Sequence, residues 1–174
     1  MTGREAVYRV WGVSDWEAYL EWAVSSSTLY AITNIYADEK ANGYRLPTID
    51  EWLWAAMGAD LQNPGQVNVT GAKKLYSGGA VESDLGLVNF AWCAYNSTSV
   101  THEVGKKASN ELGLFDMTGN VYEWMYGALP ENNSSAYSAG ESYLDLGNAY
   151  LYLTFPMAAN CRRSIIGFRI AHNQ

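Results

Sequence analysis

An acidic turn set inside an aromatic, β-branched run narrows what this chain can become more than any other stretch: Gly113-Leu114-Phe115-Asp116-Met117-Thr118-Gly119-Asn120-Val121-Tyr122-Glu123-Trp124. Leu114, Met117, Val121 and Trp124 provide apolar anchors, and Gly119-Asn120 is a dipeptide in which both residues tolerate the positive φ of a tight reversal. Asp116 and Glu123 flank that reversal. Their carboxylates can face one point together with backbone carbonyls exposed where a strand ladder breaks, and hard cations take such oxygens. A tight turn carrying two solvated acids has the same pattern, and spacing alone does not separate the two.

The rest of the chain is consistent with one soluble domain spanning residues 1–174. Its 174 residues, 48% apolar and 14% aromatic, hold enough material for one sizeable core, and no run has the length and hydropathy to cross a bilayer. A net charge of −7 and a pI near 4.7 argue against a nucleic-acid partner, which would need a basic face; the cations are scattered apart from Lys106-Lys107 and Arg162-Arg163. No stretch near Met1 combines the basic start, apolar run and small-residue cleavage site of a signal peptide, so the compartment stays open. Cys93 and Cys161 can form at most one bridge and read first as buried thiols.

Local signals alternate between short helices and short strands. Ser14-Asp15-Trp16-Glu17 is a capping box followed by Tyr19, Leu20 and Ala23 on one face, which predicts a helix over about Asp15–Val24. Thr48-Ile49-Asp50-Glu51 repeats the device after Pro47, and Ile49, Trp52, Leu53 and Ala56 form the apolar stripe of a second helix ending at Gly58. Residues from Asp60 to Ser83, rich in Asn, Gly, Gln and Ser, read as a long surface excursion. Val88–Trp92, Val121–Trp124 and Ile165–Ile170 have the aromatic and β-branched content of buried strands. Trp52, Trp54, Trp92 and Trp124 sit in such patterns and read as core. Tyr137, Tyr143, Tyr150, Tyr152 and Phe155 lie instead in a Gly/Ser/Asn-rich stretch without a helical stripe, where a binding surface and a loop tucked over the core are both open readings.

The Gly113–Trp124 run resembles the G-L-x-D-M-x-G-N-V-x-E-W signature of the formylglycine-generating-enzyme-like, or sulfatase-modifying factor, family. Asn42-Gly43-Tyr44-Arg45-Leu46-Pro47-Thr48-Ile49-Asp50-Glu51-Trp52 is similar to that family's N-G-Y-R-L-P-T-x-x-E-W segment, and Ile166-Gly167-Phe168-Arg169-Ile170 resembles its closing G-F-R strand. Thr101–Gly105 followed by Asn110–Leu114 also fits the approach to the signature. The resemblance covers roughly Tyr44 to Ala171, while residues 1–34 lack the opening strand pattern and read as a trimmed or divergent part. It implies an α+β chain with the formylglycine-generating-enzyme variant of the C-type lectin fold: two short helices, short antiparallel strands and long irregular loops.

What the resemblance implies about function divides two ways. Formylglycine-generating enzymes oxidise a substrate cysteine with a copper-binding cysteine pair upstream of the G-F-R strand, and a soft thiolate pair is what Cu(I) requires. The corresponding stretch here, Leu151 to Arg163, contains only Cys161. Iron-binding relatives use histidines, but His102 and His172 stand seventy positions apart in unlike contexts. Other members are variable proteins of diversity-generating retroelements, in which a C-terminal segment ending near G-F-R is rewritten for ligand contact. That resemblance implies a non-catalytic scaffold whose interval Ala149–Ile165 recognises a protein or other ligand through Tyr150, Tyr152, Phe155, Asn160, Arg162 and Arg163; aromatic and arginine side chains are common interface anchors. The alternative is a copper-dependent oxidase. In either case the resemblance implies a structural calcium held at Asp116, Gly119, Val121 and Glu123, and a weaker second site beginning at Asn89 and Phe90.

Overall fold

Thr48 opens the longest helix by the device its sequence suggests. In the computed structural model, which describes residues 7–10, 35–38, 40–60, 74–79, 86–126, 135–147, 151, 153–158 and 161–172, Thr48 is extended (φ −69°, ψ 164°) and precedes α1, Ile49–Met57. Its Oγ1 accepts from Glu51 N at 3.2 Å while Glu51 Oε2 accepts from Thr48 N at 2.9 Å, so two amides at the helix start are satisfied reciprocally. Trp52 and Ala56 are buried with Met117, Met125, Ala139 and Leu151, and Ile49 and Leu53 pack alongside. Trp54 departs from expectation, being 49% exposed: two residues beyond Trp52 is about 200° around the helix, which turns it away from the core stripe.

The C-terminus of α1 has no basic residue in its last turn, and its carbonyls are met from outside. Ala55 O accepts from Asn110 Nδ2 at 2.8 Å, Ala56 O from Ser77 Oγ at 2.7 Å, and Met57 O from Lys74 Nζ at 3.2 Å. Each donor fills a carbonyl that a helix end leaves open. Lys74 is 3% exposed and also pairs with Glu111. Lys74–Gly79 therefore corrects the surface reading of that stretch, since Tyr76 and Ser77 are buried as well; its polar residues are there as caps. Residues 61–73 and 80–83 of the same expectation, like the helix expected over Asp15–Val24, lie outside the described residues.

The chain divides into two compact units, Met1–Arg45 with Ile170–Gln174, and Leu46–Arg169. In the first, β1 (Tyr8–Val10) pairs antiparallel with β2 (Ile35–Ala37), and β3 (Tyr44–Arg45) pairs antiparallel with β8 (Ala171–His172). The second holds α1, the one-turn helix α2 (Leu87–Phe90), and a four-stranded sheet of β4 (Tyr122–Trp124), β5 (Ser135–Ala139), β6 (Phe155–Ala158) and β7 (Ile166–Phe168) in the order β6-β5-β4-β7. β4 is antiparallel to β5 and parallel to β7, with Glu123 opposite Gly167. A Cβ at Gly167 would meet Val121 Cγ2 at 2.9 Å, so a larger residue in the G-F-R strand would press on the signature.

Two strand readings are revised. Val88–Trp92 is not a strand over its first part. Gly86 starts α2 in the left-handed region (φ 95°), and only Leu87 of the helical turn is buried, against Tyr76, Ala91 and Cys93; one-sided burial overrides β-propensity here. Conversely, Tyr137 and Phe155, expected in irregular chain, lie in β5 and β6, which pair with Tyr137 opposite Pro156. β6 is an edge strand, the place in a sheet where proline is tolerated.

Replacing Lys74 by Met should lower stability by about 3–5 kcal/mol in urea unfolding, because it leaves the half-buried Glu111 carboxylate without its cation and Met57 O without its donor. Adding Glu111→Gln should recover part of that loss. A change below about 1 kcal/mol for Lys74→Met alone would contradict the capping role.

Candidate functional site

Residues from all three sequence motifs meet at one carboxylate. Glu123, 7% exposed, accepts from Trp52 Nε1 at 2.7 Å and Arg169 Nε at 3.0 Å on Oε2, and from an Arg169 terminal nitrogen at 2.9 Å on Oε1. That same nitrogen, Nη2, also donates to Phe115 O at 2.9 Å and Asp116 O at 3.3 Å. A planar guanidinium presents parallel N–H groups in the geometry a carboxylate accepts, which an ammonium could not reproduce. The parallel pairing of β4 and β7 puts Arg169 close enough to do this.

The turn beyond it is built as its sequence suggests. Gly119 (φ 80°) and Asn120 (φ 62°) are both left-handed, as is Asp116 (φ 54°). A Cβ at Gly119 would lie 2.3 Å from Trp92 O, so only glycine fits there, and Asn120 N donates to that carbonyl at 2.7 Å. Asn120 then clamps a neighbouring loop: its Oδ1 accepts from His102 N at 3.0 Å and its Nδ2 donates to His102 O at 3.1 Å. Asp116 Oδ2 holds the same loop by accepting from Gly105 N at 2.7 Å. His102 stacks on Trp92 with centroids 3.8 Å apart and planes 14° off parallel, and Lys107 Nζ stands 3.8 Å from the indole centroid, a cation–π distance.

Of the ligand-binding residues expected from sequence, Phe155 is half-buried in β6 with its ring edge-on to Tyr122 at 5.7 Å. Arg162 and Arg163 are exposed in the loop between β6 and β7. Neither side chain makes an ion pair or hydrogen bond among the described residues, and the Arg163 carbonyl accepts from Ile166 N at 3.2 Å. Tyr150, Tyr152 and Asn160 lie outside the described residues. Tyr143 is buried, its hydroxyl 3.1 Å from Ser164 Oγ, so this tyrosine tucks the loop down. Cys93 is a buried free thiol as expected, whereas Cys161 is also free but only half-buried. Sequence reasoning passed over Glu141, which is buried at φ 59° and lines a recess with Thr118 and Phe155; the Gly140 before it was the available signal.

The family described as sulfatase-modifying factor enzyme 1-like domain matches residues 10–174. Among curated proteins, the chain is 39% identical over 95 residues to chaperone protein LppX of Paenibacillus barcinonensis, an alignment covering 51% of this chain and 33% of that protein. Among solved structures, Treponema denticola variable protein 1 superimposes with a TM-score of 0.65 at 29% identity, and CarF with 0.62 at 30%; each covers 81% of this chain and 51% of the other. PvdO from Pseudomonas aeruginosa shares the fold at 18% identity and a TM-score of 0.54, over 76% of this chain and 54% of its own. The chain thus spans about half the length of these structures, and a third of LppX.

The calcium set Asp116, Gly119, Val121 and Glu123 bears on how the turn is held. Calcium takes roughly six to eight oxygens. Asp116 Oδ1 is buried without a donor, which suits a cation, but both Glu123 oxygens are filled by Arg169 and Trp52. Among the described residues no group of three or more His, Cys, Asp or Glu side chains could hold a metal. At the second position, Asn89 O accepts from Ala108 N at 2.8 Å. As arranged, both Glu123 oxygens serve the guanidinium and the indole, and Asp116 Oδ1 is the open carboxylate oxygen of the set. Chelation should therefore leave the melting temperature unchanged. A fall restored by added calcium, with the ion found by elemental analysis, would mean that Glu123 turns from Arg169 to a metal.

Proposed function

We propose that this chain, which belongs to the sulfatase-modifying factor enzyme 1-like domain family and has the C-type lectin fold of the formylglycine-generating-enzyme type, is a non-catalytic binding scaffold. Its recognising surface is the C-terminal segment, with Phe155, Arg162 and Arg163 as described contributors and Tyr150, Tyr152 and Asn160 assigned to it from sequence. The observation that carries this reading is the pair of exposed arginines in one loop of a chain of net charge −7, neither of them bound to a carboxylate among the described residues. An arginine without an internal partner keeps its donors for an external one.

Two further points support it. Likeness to a solved structure named variable protein 1 fits a scaffold whose ligand contacts are concentrated in a replaceable segment, and LppX is named a chaperone, a protein that binds other proteins. The stretch that would hold the copper-binding cysteine pair of a formylglycine-generating oxidase contains Cys161 alone, and one thiolate does not make the two-sulfur set that Cu(I) favours. The partner is a protein surface, met by aromatic and guanidinium groups.

The purified chain, loaded with one equivalent of Cu(I) and given a cysteine-containing peptide, should form no aldehyde, and Cys161→Ser should behave as the parent does. Tight one-to-one copper binding with turnover would overturn the scaffold reading in favour of an oxidase. Sequencing the native locus across isolates should show substitutions concentrated in codons 149–165, with Gly167-Phe168-Arg169 constant and a reverse transcriptase nearby. Substitutions spread evenly along the chain, with no such gene, would contradict diversification.

A further inference from the structure

Leu144-Asp145-Leu146 inverts the usual placing of polar and apolar side chains: the carboxylate turns inward and both leucines turn outward. Asp145 Oδ2 accepts from Ser142 N at 2.9 Å and from Ser142 Oγ at 2.5 Å, and the same carboxylate lies beside the buried Tyr122 phenol as a hydrogen-bond acceptor. Leu144 is 51% exposed and Leu146 48%. The backbone fixes this inversion. Gly119 N donates to Gly140 O at 2.6 Å, Tyr143 N to Asn120 O at 2.9 Å and Ala94 N to Asp145 O at 2.9 Å, and at the far end a Cβ on Gly147 would meet Leu87 Cδ2 at 2.3 Å.

Tyr143 joins this segment to two others. Its carbonyl accepts from Ser97 Oγ at 2.8 Å and its hydroxyl stands 3.1 Å from Ser164 Oγ, so the turn that carries Tyr95 and the loop that carries Arg162 and Arg163 are both tied to the residue preceding Leu144. Tyr95 is 68% exposed, yet its turn is held firmly. Asn96 Oδ1 accepts from Cys93 N at 2.9 Å while its Nδ2 donates to Ala91 O at 3.0 Å, and Thr98 and Ser99 stay in the left-handed region at φ 54° and 62°, a strain that persists only where the surroundings over-determine it. Three outward apolar side chains thus neighbour two guanidinium groups that make no ion pair or hydrogen bond among the described residues. Asp145, the acid between the leucines, is directed at Ser142 and Tyr122 and does not pair with them.

We propose that Tyr95, Leu144 and Leu146 extend the arginine surface into one docking site for a peptide segment in which apolar side chains adjoin Asp or Glu. This rests on the scaffold function proposed above and adds the partner's chemistry to it. Carboxylates of the peptide accept from Arg162 and Arg163 in the paired geometry that a guanidinium favours, while its apolar side chains cover the tyrosine and the two leucines. A contiguous apolar patch rimmed by charge marks such a contact surface, and its fixed backbone leaves little ordering to be done on binding. A phosphate backbone would take up the arginines and leave the leucines bare, and a partner without acids would leave the guanidinium groups uncompensated.

The full chain would be used to select from a random dodecapeptide phage library, and the best-enriched sequences made as fluorescein-labelled peptides for anisotropy titration at neutral pH. Enrichment of Leu, Ile, Phe or Trp beside Asp or Glu is expected, with affinity falling about tenfold or more when Arg162→Ala and Arg163→Ala are combined, and by a similar factor when Leu144→Ser and Leu146→Ser are combined. Binding should also weaken as salt is raised. All four positions are exposed, so both double variants should melt with the parent, which separates lost recognition from lost fold. Binding that needs the arginines but neither the leucines nor Tyr95 would overturn this site and leave the C-terminal surface as the recogniser; binding that needs neither group would overturn both. Enrichment of basic sequences, or of none, would overturn the acidic peptide as partner. Self-association of the chain that is abolished by the leucine variant would assign the patch to a second copy and overturn it too.

Discussion

Glu123 is the point through which the rest of the larger unit is organised. A buried carboxylate is tolerable only when its oxygens are occupied, and here the occupants come from distant parts of the chain: the indole of Trp52 from α1 and the guanidinium of Arg169 from beyond β7. Arg169 extends the constraint by gathering the carbonyls of Phe115 and Asp116. Removing any of these partners leaves charge or N–H groups without compensation, so the helix, the signature turn and the closing strand are mutually conditional. The local nature of each motif hides this, because none of the three contains its own partner.

What could be read from sequence follows from how far the deciding interaction reaches. α1 was legible because Thr48, Glu51 and the apolar stripe lie within three turns of one another. The left-handed Gly119-Asn120 turn was legible for the same reason. The caps of α1 were not: Lys74, Ser77 and Asn110 reach its carbonyls from 17 to 55 positions away, and nothing in a Gly/Asn/Ser-rich stretch distinguishes such donors from solvated residues. Composition misled at Val88–Trp92, where burial of Leu87 alone makes one helical turn of residues suited to a strand, and at Trp54, whose type suggests core while its angular position turns it outward. The ligands drawn for calcium at Asp116 and Glu123 were legible as a pair; that Arg169 would meet both of them was visible only once β4 and β7 were paired.

Under the proposed function, this arrangement separates support from recognition. The polar side chains of the signature are largely engaged internally, Asp116 Oδ2 and Asn120 on the 102–105 loop and Glu123 on Arg169 and Trp52, so the proposed recognition falls to the region after β5. There the structure places the exposed guanidinium groups of Arg162 and Arg163. A rigid base with a separate exposed face suits the binding scaffold proposed above.

The claim that one carboxylate–guanidinium pair knits the motifs together is tested most directly by a double-mutant cycle on Glu123→Gln and Arg169→Met, followed by urea unfolding at neutral pH. Each single change should be strongly destabilising, and the double variant should lose less than the sum, with a coupling of about 2–3 kcal/mol between the two positions. Additive losses, each below about 1 kcal/mol, would show that the three segments are held by their own local packing and that Glu123 is not the point on which they depend.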